Sequence, residues 1–178
     1  EVYEYTRYIV TEIDPDFIQI GNEVNNGMLF PHGNIHHNLT QFLEIIEQGS
    51  NAVRDASDRA KIILHFAGLE SAPSFFHKVR HIDYDVAGIS YYPLWHGKSI
   101  DIVGDVLENL ANSTGKEVII AETAYPFTLG WNDWTDNILG SENQIIFPEY
   151  PATPEGQRDF LHDLKEQIFD VEGGIGFC

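Results

Sequence analysis

Short apolar runs alternate along this chain with stretches whose apolar residues recur at helical spacing, and that alternation limits the fold more than any other feature. Ile62-Ile63-Leu64 lies in a run over 61–66, and Val118-Ile119-Ile120-Ala121 in a run over 117–122. A run over 86–92, Phe17-Ile18-Gln19-Ile20 within 16–22, and Ile175-Gly176-Phe177-Cys178 complete the set. Between them, Leu39, Phe42, Leu43, Ile46, Ser50 and Val53 share a helical face, as do Ile102, Val103, Val106, Leu107 and Leu110. Phe160, Leu161, Leu164 and Ile168 mark a third, which Thr153-Pro154-Glu155 opens with a cap and a proline at the first position. Residues 2–13 and 73–82 read as further helices, and Ser99 is placed to cap the helix after it. Strands alternating with helices imply parallel strands joined by right-handed crossovers. Near-continuous apolar strands imply a sheet covered on both faces.

Two α/β architectures fit this pattern. An open doubly wound sheet usually carries a phosphate-binding loop, but no strand here is followed by G-x-G-x-x-G and no P-loop occurs. Instead, Asn22-Glu23, His65, Tyr91-Tyr92 and Glu122 collect at strand C-terminal ends. A (β/α)8 TIM barrel builds its active site on that rim. Such a barrel needs eight strands and typically about 250 residues, whereas five strands are legible in these 178 residues. Half a barrel would leave open sheet edges. The expectation is therefore that residues 1–178 form the C-terminal part of a single catalytic barrel domain, with the N-terminal strands outside this sequence.

Ten Lys and Arg against 28 Asp and Glu give a formal charge of −18. That balance speaks against nucleic-acid phosphates, anionic membranes and polyanionic substrates, and leaves a neutral ligand as the easiest partner. The single cysteine, Cys178, allows neither an intrachain disulfide nor an all-cysteine metal site. No run of 18 apolar residues predicts a membrane span, and the opening Glu1-Val2-Tyr3-Glu4-Tyr5 is not a signal peptide. His32 and His36 stand four apart, but Pro31 and Gly33 favour a loop, so no zinc site is expected. Ser90 lacks the G-x-S-x-G elbow of a serine hydrolase.

Two carboxylates stand out from the other acids by position. Glu23 follows Ile20-Gly21-Asn22 and Glu122 follows Ile120-Ala121, each at a strand end. Facing carboxylates at a barrel rim suit cleavage of a glycosidic bond: one protonates the leaving oxygen, and the other attacks the anomeric carbon or activates water. Neighbouring carboxylates cannot both ionise cheaply, which separates their roles. The residues alone do not say which is which. Trp95, Trp131 and Trp134 lie in loops after strands, where an indole can stack on a sugar or simply pack the loop. His65 can bond substrate or sit buried against backbone; its rim position favours substrate.

Ile18-Gln19-Ile20-Gly21-Asn22-Glu23-Val24-Asn25-Asn26-Gly27-Met28-Leu29, followed by Pro31-His32-Gly33, resembles glycoside hydrolase family 53, the endo-β-1,4-galactanases of a large clan of retaining barrel hydrolases. Ile89-Ser90-Tyr91-Tyr92-Pro93-Leu94-Trp95-His96-Gly97 is similar to its sixth-strand segment, and Ala121-Glu122-Thr123-Ala124-Tyr125-Pro126 to its seventh. Leu64-His65-Phe66-Ala67 and Thr153-Pro154-Glu155-Gly156-Gln157 fit as well. The resemblance implies that the chain runs roughly from strand four to strand eight. It implies Glu23 as general acid/base, Glu122 as nucleophile, and Asn22 on the sugar 2-hydroxyl. A tyrosine orients the nucleophile in this clan, here Tyr91 or Tyr92, and strand alternation forbids both from pointing inward. The substrate class implied is neutral β-1,4-galactan or type I arabinogalactan, cleaved internally by a monomer outside the cell, with no cofactor required. Another neutral β-glycan (mannan or cellulose), or a non-catalytic carbohydrate-binding barrel, are the alternatives. Some bacterial galactanases carry calcium near the segment holding Asn132, Asp133, Asp136 and Asn137; the spacing is not that of an EF-hand, and loop capping is the expectation.

Overall fold

The computed structural model describes residues 1–131, 133–135 and 137–178. Its order is α1 (Val2–Ile13), β1 (Phe17–Gln19), a 3-10 turn (Val24–Asn26), β2 (Gly27–Met28), β3 (Gly33–Asn34), α2 (Leu39–Ala56) and β4 (Lys61–Ala67). There follow α3 (Ala72–Lys78), β5 (Val86–Tyr91), α4 (Pro93–His96), α5 (Asp101–Thr114), β6 (Glu117–Thr123), a 3-10 turn (Glu142–Gln144), α6 (Pro154–Phe169) and β7 (Gly174–Phe177). Five strands form one sheet in the order β1-β4-β5-β6-β7, and every neighbouring pair is parallel. Spatial order follows chain order without a reversal, so all the crossovers step the same way. A doubly wound sheet reverses its order at a switch point; this sheet is an arc of a (β/α)8 barrel.

Strand alternation sorts the side chains into two layers. Ile62, Leu64 and Phe66 of β4, Ala87, Ile89 and Tyr91 of β5, and Val118 and Ile120 of β6 join the main core under the helices. The helices answer with Phe42, Ile46 and Val53 of α2, Phe75 and Phe76 of α3, Val103, Leu107 and Leu110 of α5, and Phe160, Leu164 and Ile168 of α6. Phe75 packs on Phe66 with ring centroids 4.9 Å apart. Burying each such side chain contributes about 1.5–3 kcal/mol before chain entropy is counted. On the opposite, concave face lie Ile63, His65, Gly88 and Ser90. A Cβ on Gly88 would come 2.9 Å from Ile63 Cγ2 and 3.3 Å from the Ala121 Cβ, so only glycine lets the strands close there.

Thr153 caps α6 as its sequence predicts, accepting from the Gly156 N–H at 3.0 Å. Ser99 does not cap α5; the helix starts after Ile100 with no side-chain cap. β1 ends at Gln19 rather than 22, because Gly21 turns the backbone to a φ of 77°. The β2–β3 hairpin and α4 carry too few apolar residues for periodicity to reveal. No helix among the described residues is long and apolar enough to cross a membrane.

Arg54, near the end of α2, ties the helix layer to the sheet. It donates to Asp83 at 2.8 and 3.0 Å and to Asp85 at 3.0 Å, while Asp85 accepts the Ile62 N–H at 2.7 Å. The Arg54 bond holds the Asp83 carboxyl below its ordinary value, against a smaller opposing effect of burial. A carboxylate with a depressed folded pKa contributes stability above its unfolded pKa and loses it as pH falls through the folded value. Arg54→Met in the full-length protein should cost about 1 kcal/mol at pH 7. Denaturant titrations at falling pH should show that deficit shrinking below the ordinary carboxylate range.

Candidate active site

Glu23 is carried just past the end of β1 by a backbone that leaves the sheet but stays tied to it. Ile20 N–H still donates to Ile63 O at 3.0 Å. Glu23 itself adopts φ 44° and ψ 56°, the left-handed region. For a residue with a Cβ this costs about 1–2 kcal/mol and persists only where neighbours enforce it. The neighbours are identifiable. Val24 is fully buried beneath the turn. The Asn25 amide takes the place of a strand backbone, donating to Ala67 O at 2.8 Å and accepting from Ala67 N–H at 2.7 Å. Glu23 N–H donates to His65 Nδ1 at 3.4 Å.

Glu122 reaches the same place by a register slip. Val118 and Ile120 of β6 face the helices, so strict alternation would send Glu122 there too. Between Ile89 and Ser90 the β5–β6 ladder shifts by one residue, and Ser90 pairs with Glu122. The bulge turns Glu122 to the concave face with Ser90. Tyr92, two residues beyond Ser90, donates its hydroxyl to Glu122 Oε2 at 3.0 Å. Burial first, then this bond and the charges of Glu122 and Glu23, push the Tyr92 phenol up to about 12, so it remains a neutral donor.

Ser90 donates to Glu23 Oε1 at 2.6 Å, and His65 Nε2 lies 2.8 Å from Ser90 Oγ. Ligand-type atoms of Glu23, His65 and Glu122 lie within 4.8 Å of one another. Those residue types suit a metal, but both ring nitrogens of His65 are already engaged, which leaves no lone pair for an ion. Burial lowers the His65 pKa, outweighing the opposite pull of Glu122 and Glu23, so the ring is held neutral.

The carboxylates open into a cleft of about 610 Å³ walled by Tyr92, Trp95, Tyr125 and Phe127. Trp95 is 57% exposed and meets the Tyr92 ring edge-on at 5.3 Å. The site thus combines two acids with an exposed aromatic wall, which suits a ligand having both hydroxyls and apolar faces.

Several of the residues expected at the substrate lie away from the cleft, and others stand where the sequence placed them. Tyr91 does not face the cleft: it lies on the helix side of β5, donates to Gly97 O at 2.9 Å and stacks with Phe160 at 6.4 Å. His65 is fully buried and bonds the Glu23 backbone and Ser90 instead of lining the cleft. Trp131, 64% exposed, stands on the long loop and is not brought to the cleft wall. Trp134 is fully exposed. Asn22 is exposed beside Glu23, its Oδ1 accepting from Gln19 Nε2 at 3.1 Å. Of the proposed calcium ligands, Asn132 and Asp136 lie outside the described residues. Asp133 caps its own loop, accepting from Thr135 N–H and hydroxyl at 2.8 and 2.7 Å, and Asn137 donates to Gly130 O at 3.0 Å. Sequence reasoning missed Ser90 as a partner of Glu23, although it shares strand parity with Tyr92. It also missed Asn25, Tyr125 and Phe127, which only their loop positions could have suggested.

Comparison with known proteins identifies the family. The family model of glycosyl hydrolase family 53 matches residues 1–178. An arabinogalactan endo-β-1,4-galactanase of Cellvibrio japonicus is 35% identical over 98% of this chain and 50% of its own length. An endo-β-1,4-galactanase of Bacillus subtilis is 30% identical over 99% of this chain and 42% of its own. The solved GH53 catalytic domain of Ignisphaera aggregans superposes with a TM-score of 0.89 at 33% identity, over 99% of this chain and 52% of that one. The chain spans about half the length of the curated relatives it matches.

The neutral, buried His65 makes a pH prediction. Its folded pKa lies below the ordinary 6.5, so as pH falls through that value the unfolded chain takes up its proton first and stability declines. His65→Gln should flatten this part of the stability–pH curve in the full-length protein, and nitrogen NMR of the wild-type ring should show the hydrogen on Nε2.

Proposed function

Since the chain belongs to glycosyl hydrolase family 53, we propose that its site is the catalytic half of an endo-acting, retaining galactanase that cleaves β-1,4 bonds in galactan and type I arabinogalactan. The observation that carries this reading is the carboxylate pair: oxygens of Glu23 and Glu122 lie within 4.8 Å, facing one cleft. Retaining glycosidases hold their carboxyl groups about 5–5.5 Å apart, whereas inverting ones need about 6.5–9.5 Å to admit a water.

Glu122 is the nucleophile of this reading. Tyr92 occupies its Oε2, which fixes the carboxylate plane and leaves Oε1 for the anomeric carbon. Glu23 is the acid/base: it protonates the leaving glycosidic oxygen as the Glu122 ester forms, then takes a proton from the water that hydrolyses that ester. Asn22, next to Glu23, would bond the sugar 2-hydroxyl once its link to Gln19 is exchanged for substrate. Trp95 offers an indole face to a galactose ring. The charge of −18 favours a neutral galactan chain over polygalacturonate. A cell-wall polysaccharide cannot enter a cell, so the enzyme would act outside it, as a monomer.

The full-length protein should release oligosaccharides from β-1,4-galactan and little from mannan or cellulose in a reducing-sugar assay; the reverse preference would move the substrate to another neutral β-glycan, and no release would favour a binding role. Glu122→Gln should lower kcat by about 10³-fold or more while galactan binding persists. Near-normal turnover in that variant would remove Glu122 from the nucleophile role. Tyr92→Phe should lower kcat by about 10²-fold with KM little changed. Glu23→Ala should hurt substrates with poor leaving groups most, since those need the acid.

A further inference from the structure

Behind Glu23 three hydrogen bonds form a closed circuit. It leaves from the Glu23 N–H to His65 Nδ1 at 3.4 Å, passes from His65 Nε2 to Ser90 Oγ at 2.8 Å, and returns from the Ser90 hydroxyl to Glu23 Oε1 at 2.6 Å. Both intermediate side chains are fully buried. Proton counting fixes every direction. Nδ1 accepts from a backbone N–H, so its lone pair is used and the ring hydrogen must be on Nε2. Nε2 then donates to Ser90, whose single hydroxyl hydrogen is left to go to Oε1.

Ser90, His65 and an acid are the residue types of a serine-hydrolase triad, but the connections are reversed. In a triad the histidine accepts the serine proton and the acid bonds the far ring nitrogen. Here the histidine donates to the serine, and the acid sits on the serine. Ser90 is therefore not a nucleophile. Its hydrogen serves the carboxylate.

We propose that Ser90 and His65 are positioning residues for Glu23, holding a fixed donor on Oε1 so that the transferable proton resides on Oε2. This rests on the acid/base reading of Glu23. The carboxyl group then presents one defined oxygen to the leaving group, and its ionised form keeps a ready donor after the proton has gone. The circuit also explains two buried polar side chains that the sheet itself does not need. A hydrophobic residue at either position would pack the concave face without a desolvation penalty. The other groups facing Glu23 are Tyr92 after β5, Glu122 from β6 and His96 of α4, whose ring burial keeps below its ordinary pKa.

The test uses the full-length protein and aryl β-galactobiosides with a good and a poor leaving group. Ser90→Ala removes the donor to the ionised carboxylate and introduces no new bulk. It should move the alkaline limb of the kcat/KM profile upward by about one pH unit. It should also cost about 10-fold with the poor leaving group and little with the good one. His65→Gln keeps an N–H donor near the Nε2 position and should resemble wild type, whereas His65→Phe should resemble Ser90→Ala. Should His65→Phe fail to fold, Ser90→Ala decides. An unmoved alkaline limb with equal losses for both leaving groups would reduce the circuit to a structural feature and overturn the proposal. If the wild type cleaves no galactoside, the galactanase reading fails, and the circuit is judged by carbon NMR of labelled Glu23. There Ser90→Ala must shift the carboxyl titration to higher pH, and an unshifted midpoint overturns the proposal.

Discussion

A one-residue slip between β5 and β6 decides what this sheet can do. Without it, alternation would bury Glu122 among the helices, where Val118 and Ile120 lie. With it, Ser90 and Glu122 become partners across the ladder and share the concave face. Both catalytic candidates then acquire their hydrogen bonds from the end of β5 and the residue after it: Ser90 supplies Glu23 and Tyr92 supplies Glu122. A single irregularity in the backbone thus brings two acids from β1 and β6 to one cleft, although two other strands separate them in the sheet.

The same economy governs the turn after β1. Glu23 is held in a left-handed conformation that an isolated peptide would rarely adopt. The cost is met by packing and hydrogen bonds from β4, through His65 and Ala67 to Glu23 and Asn25. Rigidity at this point matters chemically. In the proposed acid/base role, Glu23 would gain nothing from a mobile loop, since a catalytic group displaced by about 1 Å can lose about 10²-fold in rate. β4 accordingly works as a template rather than as a bearer of catalytic carboxylates.

Electrostatics act on two scales. Over the whole surface, a charge of −18 repels anions and leaves neutral sugars unaffected. Around the two acids, donors are placed so that each carboxylate has a neutral partner: a half-buried phenol pushed up to about 12 and a buried serine hydroxyl backed by a neutral imidazole. None of these donors competes with the acids for protons near neutral pH. The aromatic wall of Trp95, Tyr125 and Phe127 offers apolar contact that would suit the CH faces of the proposed sugar substrate.

The strand–helix alternation, the parallel sheet and the helix stripes were legible from the apolar spacing alone, because both-face burial forces nearly continuous apolar strands. So was the position of Glu23 and Glu122 at strand ends. The sequence left Tyr91 and Tyr92 as alternatives, and it placed His65 toward substrate. Tertiary structure resolved both: β5 pairing puts Tyr91 against Phe160, and the turn after β1 closes over His65. The bulge that aims Glu122, and the serine that meets Glu23, depend on how two strands register against each other. No local pattern encodes that register, because it is set by the packing of residues far apart in the chain.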